Sequence, residues 1–171
     1  FIDVFQIGEG EEMMIDFLDL LNEYKTSGKS RKEFLIAASK IEGIYVPSLY
    51  SVEYNEDGTI KSVTANDGAP ETINKRVVSD LDNVFYPDKF VVPFVEVVHD
   101  RVVHEIFRGC IRGCRFCQAG FIYRPFREKT SDTICKQTKA LCESTGYEEV
   151  SLSSLSTSDL TDIDATLSQL S

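Results

Sequence analysis

The chain has 171 residues, a net charge of −10 and a hydrophobic fraction of 42%, so it can bury a core and is not disordered as a whole. The negative charge argues against nucleic-acid or anionic-membrane binding by the whole surface. Five cysteines, three of them in one short stretch, do not form a disulfide framework and favour a reducing compartment, the cytoplasm.

The first 28 residues predict a strand followed by a helix. Residues 2–7 are mostly apolar and precede the glycines Gly8 and Gly10. Helical spacing then places four apolar residues on one predicted inner face. These are Met14, Phe17, Leu18 and Leu21.

Residues 29–95 predict a helix, a hairpin and a connector. Ser30 and Glu33 form a capping box that opens a helix. Residues 45–65 alternate apolar and polar around a turn at 55–58, which is typical of a β-hairpin. Prolines punctuate residues 66–93, which predict an extended connector. The most apolar run, residues 90–98, is too short to span a membrane.

Residues 96–171 alternate between strand and helix patterns. A strand at 102–107 leads into the cysteine-rich stretch, and a helix follows from about Thr130 to Gly146. A strand at 149–155 and a helix opened by Ser158 or Asp159 complete the chain. This order predicts a parallel βαβ unit and an α/β fold. The predicted inward residues of the last helix are Leu160, Ile163, Leu167 and Leu170.

Three thiols crowd into eight residues, at Cys110, Cys114 and Cys117. This spacing suits a loop that folds around an inorganic centre. A structural zinc site normally closes with four protein ligands, but only three are local here. A four-iron cluster held by three cysteines leaves one iron open to a ligand from outside the protein.

The spacing C-x3-C-x2-C, with Phe116 before the last cysteine, resembles the motif of radical S-adenosylmethionine (SAM) enzymes. The longer run 106–121 resembles one branch, in which a cobalamin-binding-like domain precedes the radical SAM barrel. The resemblance implies that residues 1–28 are the last strand and helix of that Rossmann-like domain. It implies that 29–95 are a connector with a β-hairpin, and that 96–171 begin a partial TIM-type barrel. The chain is therefore expected to be an internal piece of a longer enzyme, not catalytically competent alone.

The resemblance also implies the cofactors. Cys110, Cys114 and Cys117 would bind a 4Fe–4S cluster, and SAM would bind the open iron and yield a 5′-deoxyadenosyl radical. An oxidoreductase-like enzyme of this kind needs an electron donor such as a flavodoxin or a ferredoxin. The substrate, reaction and catalytic residues stay open. Cobalamin binding is not predicted, because the chain has no D-x-H-x-x-G signature.

Further SAM contacts are expected near the cluster. Phe116 would stand beside the adenine, as the aromatic of the family motif does. In parallel α/β folds the site lies at the C-terminal ends of the strands, and a group of serines follows the second strand there. Their hydroxyls are candidates for the SAM amino group, with ordinary strand-end polarity as the alternative. They are Ser153, Ser154 and Ser156.

Positive charge gathers around the cysteines. Residues 100–129 contain seven basic and three acidic side chains. Five arginines could offset the cluster charge and hold an anionic substrate or cofactor; the alternative is a solvated positive rim. They are Arg108, Arg112, Arg115, Arg124 and Arg127.

A second class of function is also open from the residues. In this alternative, His99 or His104 completes a zinc site with the three cysteines. The basic cluster would then contact RNA or an acidic partner, although the net charge does not indicate nucleic-acid binding. For His104, which lies within a predicted strand, a packed or hydrogen-bonded role is favoured. Cys135 and Cys142 are expected to be buried on a helix rather than ligands.

Overall fold

The computed structural model describes residues 2–95 and 97–171. Packing divides the chain into two compact units, with the boundary between Val78 and Ser79. The fold is mixed α/β, and the described residues form small two-stranded sheets and no closed barrel. The three segments 1–28, 29–95 and 96–171 stay predictions. No helix within the described part of the chain has the length and apolar character needed to cross a membrane.

Unit 1 contains two helices and two short antiparallel sheets. Strand β1 (Phe5–Gln6) pairs with β2 (Ile44–Tyr45). Strand β3 (Tyr50–Tyr54) pairs with β4 (Ile60–Ala65), which confirms the predicted hairpin. The predicted strand at 2–7 is reduced to two paired residues. The elements are β1 (Phe5–Gln6), α1 (Gly10–Ser27), α2 (Arg31–Ala38), β2 (Ile44–Tyr45), a 3-10 turn (Pro47–Leu49), β3 (Tyr50–Tyr54) and β4 (Ile60–Ala65).

The buried face of helix α1 differs from the predicted one. Met13 is fully buried and Phe17 packs against the same core, whereas Met14 and Leu18 are exposed. The chain leaves room for Met13 at Gly43, where an added Cβ would lie 2.7 Å from the Met13 Sδ atom. This tertiary contact sets the helix rotation. Periodicity alone could not choose between two adjacent methionines.

Helix α2 begins at the predicted capping box. The Ser30 hydroxyl accepts a hydrogen bond from the Glu33 backbone N–H, and the Glu33 carboxylate accepts one from the Ser30 N–H at 2.8 Å. These bonds satisfy two helix-end donors.

Removing this cap should weaken unit 1 measurably. Ser30→Ala is expected to lower the free energy of unfolding by about 1 kcal/mol, because the Glu33 N–H loses its acceptor. Urea unfolding followed by circular dichroism measures the change. Ser27→Ala is the matched control, since that hydroxyl only donates to the Tyr24 carbonyl near a helix end. An equal loss in both variants would contradict the capping role.

Unit 2 contains the predicted parallel βαβ arrangement. Strands β5 (Val102–Glu105) and β8 (Val150–Ser153) pair in parallel, with Val102 opposite Val150 and Glu105 opposite Ser153. Helix α4 (Ser131–Thr145) lies between them in sequence, capped by Thr130 and ended by Gly146. The elements are β5 (Val102–Glu105), β6 (Phe107–Arg108), α3 (Ala119–Ile122), β7 (Arg127–Glu128), α4 (Ser131–Thr145), β8 (Val150–Ser153), a 3-10 turn (Thr157–Asp159) and α5 (Ile163–Leu170).

Two predictions for unit 2 need correction. The strand at 102–107 breaks after Glu105, and β6 turns away to pair antiparallel with β7. The last helix begins at Ile163, after a 3-10 turn, and it exposes Leu167 while Thr166 is buried. A hydrogen bond between the hydroxyls of Ser131 and Thr166, 2.8 Å long, accounts for this polar contact between α4 and α5. One buried cluster of the unit is formed by Ile106, Phe107, Ile134 and Leu160.

Candidate functional site

The cysteine loop is residues 109–126, and a two-stranded ribbon closes its base. Phe107 pairs with Glu128 and Arg108 with Arg127. Ile106 links this ribbon to the parallel sheet: its N–H donates to the Ser153 carbonyl at 3.1 Å, and its carbonyl accepts from the Lys129 N–H at 3.0 Å. Both ends of the loop are therefore fixed to the core.

A glycine starts the loop where two backbone segments approach closely. Gly109 has φ of +88°, and an added Cβ would lie 2.8 Å from both the Phe126 Cα and the Pro125 carbonyl oxygen. A side chain at position 109 would clash with the backbone of residues 125–126, which cannot move aside as a flexible side chain can. Gly109 thus sets where Cys110 enters the loop.

The three loop thiols are free and accessible. Cys114 is exposed, and Cys110 and Cys117 are half-buried. The Cys117 N–H donates to the Cys114 carbonyl at 3.1 Å, and the Arg112 N–H lies 3.5 Å from the Cys110 Sγ. The segment therefore turns back on itself between the cysteines.

The donor set bears on which inorganic group could bind. Among the described residues, no three His, Cys, Asp or Glu side chains come together in an arrangement that could hold a metal ion. Three thiols on one loop fit the soft ligands of an iron–sulfur cluster. Of the two candidate fourth zinc ligands, His99 has a partner at one ring nitrogen and His104 has partners at both. The His99 Nδ1 lies 2.7 Å from the Arg101 guanidinium, and both ring nitrogens of His104 face helix α4.

Phe116 is the most accessible aromatic of the cysteine loop. Its side chain is 93% exposed, and it directly precedes Cys117. Exposure of so large an apolar surface is unfavourable in water unless something covers it. The ring is therefore available to a planar partner beside the thiols.

The five candidate arginines divide by their partners. Arg108 binds the Glu105 carboxylate through bonds of 3.0 and 3.1 Å, and Arg112 binds Asp159. Arg124 and Arg127 donate to the nearby backbone carbonyls of Gly120 and Pro125. Arg115 is exposed, and its guanidinium makes no hydrogen bond or ion pair within residues 2–95 and 97–171. It is the member of this set best placed to receive an anion.

Two of the three candidate serines, Ser154 and Ser156, form hydrogen bonds, and the third, Ser153, is the last residue of β8. Ser153 ends β8, and the Ser154 hydroxyl lies 2.9 Å from that of Thr157. The Ser156 hydroxyl donates to the Asp159 carboxylate, which also accepts from Arg112. The structure thus brings the cysteine loop and the serine segment together through Asp159. Sequence reasoning missed this role, because nothing in the sequence pairs residues 47 positions apart.

Asp159 is held in its charged form. Hydrogen bonds from Arg112 and then from Ser156 lower the pKa of its carboxyl. The same contact raises the pKa of Arg112. The pair is therefore ionised at neutral pH.

Cys135 and Cys142 lie away from the loop, on helix α4. Both are half-buried rather than fully buried, and the Cys135 thiol lies 3.3 Å from the Gln169 side-chain oxygen. Burial raises the pKa of the Cys135 thiol. A raised pKa keeps the Cys135 thiol protonated, whereas the thiolate is the form that binds metals.

A buried polar cluster links β5, α4 and Lys129, the residue that follows β7. His104 is fully buried, with Nδ1 2.7 Å from the Thr138 hydroxyl and Nε2 3.0 Å from the Gln137 side-chain oxygen. Lys129 donates to the same Gln137 oxygen at 2.8 Å and lies over the Tyr86 ring. The predicted hydrogen-bonded role of His104 is confirmed. Burial lowers the pKa of Lys129 to about 8 and that of His104 to about 4.

Acid should destabilise the chain through His104. Its pKa falls from 6.5 to about 4 on folding, first because of burial and next because of the Lys129 charge. Between these pH values the unfolded chain binds a proton that the folded chain does not. The contribution of His104 to stability is therefore complete above pH 6.5 and is lost as the pH falls towards 4. The expected loss by pH 4 is about 3 kcal/mol.

Urea unfolding at about pH 7 and about pH 4.5 checks this dependence. His104→Gln should lack most of the loss. His99→Gln is the control, because His99 is the other histidine and is exposed. A pH dependence that His99→Gln removes and His104→Gln retains would contradict the assignment.

Comparison with known protein families gives a match in the N-terminal part of the chain, outside the cysteine loop. Residues 1–47 match a family model described as "Radical SAM proteins, N-terminal". The matched stretch lies in unit 1, whereas the cysteine loop lies in unit 2. No curated protein matches the chain.

Proposed function

We propose that this chain, a radical SAM family member by its match over residues 1–47, holds a 4Fe–4S cluster in its cysteine loop. Cys110, Cys114 and Cys117 would be the ligands. SAM would bind at the open iron, and the parent enzyme would generate a 5′-deoxyadenosyl radical for a substrate still to be identified.

The observation that carries the proposal is the coincidence of two independent features. The family match ends at residue 47, and the three-thiol loop begins more than 60 residues later. The family match does not include the cysteines, so the two features support the proposal separately. The β6–β7 ribbon closes the base of the loop, and the three thiols of the loop supply the donor set that such a cluster requires.

The cluster, when bound, would supply the electron that cleaves SAM. The chain's own residues would orient the co-substrate. Exposed Phe116 would cover the adenine, and Arg115 would face an anionic group of substrate or SAM. Ser153 ends β8, and Ser154 and Ser156 follow it. The hydroxyls of these three serines would contact the SAM amino group.

The finer fold assignment is also a proposal. The parallel β5–α4–β8 unit and the following α5 would begin a TIM-type barrel. Strand β1 and helix α1 would end a Rossmann-like, cobalamin-binding-like domain. The family match over residues 1–47 supports an N-terminal region of a radical SAM protein here, and the Rossmann-like assignment rests on the sequence resemblance.

The proposed setting follows from the chemistry. Five free thiols favour the reducing cytoplasm. A flavodoxin or a ferredoxin would be the electron donor, since reduced clusters of this type have low potentials.

Anaerobic reconstitution of the reduced chain with iron and sulfide tests the proposal. We expect about four irons per chain and a broad absorption band at roughly 400 nm. Adding SAM should change the electron paramagnetic resonance spectrum of the reduced cluster, because SAM would bind at the open iron. Stoichiometric zinc with no iron after exposure to both metals would overturn the proposal.

A further inference from the structure

One ion pair crosses from the cysteine loop to the segment after β8. Arg112 lies midway between Cys110 and Cys114. Its Nε donates to the Asp159 Oδ2 at 2.6 Å, and its Nη2 donates to Oδ1. Two parallel bonds between a guanidinium and a carboxylate fix direction as well as distance.

The two partners differ in their surroundings. The Arg112 side chain is 58% exposed, whereas that of Asp159 is only 9% exposed. Asp159 also accepts a hydrogen bond from Ser156. Its carboxylate is therefore already oriented on the protein side, and Arg112 is the partner that the exposed loop contributes.

The segment carrying Asp159 is anchored at several points. The next residue, Leu160, is buried in the core of unit 2. Thr161 then donates to the Glu128 carboxylate from its backbone N–H at 2.8 Å and from its hydroxyl at 2.7 Å. Glu128 belongs to β7, at the base of the cysteine loop. Asp159 thus stands on a fixed support beside that base.

We propose that Asp159 is a positioning residue that fixes the Cys110–Cys114 half of the loop through Arg112. This inference rests on the proposed function. Arg112 is then a structural tie within the site, and it is not the arginine that receives an anionic ligand. Through Ser156 the same carboxylate sets the serine segment against the loop.

The first test needs no cofactor. Limited trypsin digestion of the native, reduced chain cuts after accessible arginines, and the Arg112 side chain must leave Asp159 to enter the protease. Asp159→Asn should therefore raise cleavage after Arg112 relative to cleavage after Arg115 by about fivefold. Asp162→Asn is the matched control, because it removes the same charge from an exposed residue three positions on.

The second test uses the reconstituted chain. Asp159→Asn should lose iron to a chelator about tenfold faster than the unmutated chain, in line with the effect of removing residues that orient metal ligands. Its reduced cluster should give a broadened resonance spectrum with a smaller response to SAM. The charge swap Arg112→Asp with Asp159→Arg should restore both properties relative to either single variant.

Each result decides the inference. Unchanged tryptic cleavage in Asp159→Asn would overturn the pairing itself. Altered cleavage with unchanged iron release and spectrum would overturn the positioning role. If the unmutated chain takes up no iron, the proposed function fails and the positioning role fails with it, while the tryptic ratio still decides whether the ion pair forms.

Discussion

Serine in place of any one of the loop cysteines is expected to abolish the absorption band of the reconstituted chain. A 4Fe–4S cluster held by three thiolates loses a third of its protein ligands in each variant. The serine hydroxyl is a harder donor and ionises far less readily than a thiol. The variants are Cys110→Ser, Cys114→Ser and Cys117→Ser, and iron analysis accompanies the absorption spectrum.

The chain provides matched controls for this series. Cys135→Ser and Cys142→Ser remove thiols from helix α4, where the structure places them apart from the loop. Both should retain iron and the band near roughly 400 nm. If the α4 variants lost the cluster and a loop variant kept it, the ligand assignment would be wrong.

Alanine at Gly109 should lower the free energy of unfolding of unit 2 by about 2–5 kcal/mol and reduce cluster loading with it. The φ of +88° disfavours a Cβ, and the added atom would meet the main chain of Pro125 and Phe126 at 2.8 Å. Backbone strain contributes about 1–2 kcal/mol and overpacking about 1–3 kcal/mol. Relief of the clash would move the start of the cysteine loop away from the β6–β7 ribbon.

Gly113→Ala separates the two causes. Gly113 lies in the same loop with φ of +62°, but an added Cβ there would have no atom within 4 Å. Its expected cost is about 1 kcal/mol, from backbone strain alone. Urea unfolding of the cluster-free, reduced chain measures both variants. Equal losses would show that the approach of residues 125–126 to Gly109 carries no energetic weight.

Local patterns predicted the elements whose causes are local. The capping box at Ser30, the hairpin of β3 and β4, and helix α4 between Thr130 and Gly146 all stand where the sequence placed them. Each depends on residues within a few positions of one another, so the sequence carries its full cause.

Features set by distant contacts escaped prediction. Strands β6 and β7 have two residues each, too few to show any alternation. Met13 and Met14 are equally apolar, and Met13 is the one that packs into the core of unit 1, where it lies against Gly43. The cysteine spacing predicted a candidate site, and the three ligands stay a prediction. The contact of Arg112 with Asp159, and the lack of a partner for Arg115 among the described residues, required the tertiary structure.

The parallel pairing in unit 2 also bears on how quickly each unit acquires its structure. Val102 meets Val150, 48 positions further along the chain, whereas the strands of the unit 1 hairpin meet across a single turn. Closing a long segment costs entropy before any contact compensates for it, and distant pairings slow folding. The hairpin of unit 1 should therefore form before β5 pairs with β8. During that interval the thiols are exposed to oxidants without a completed scaffold, so assembly under anaerobic, reducing conditions should give the higher yield of native chain.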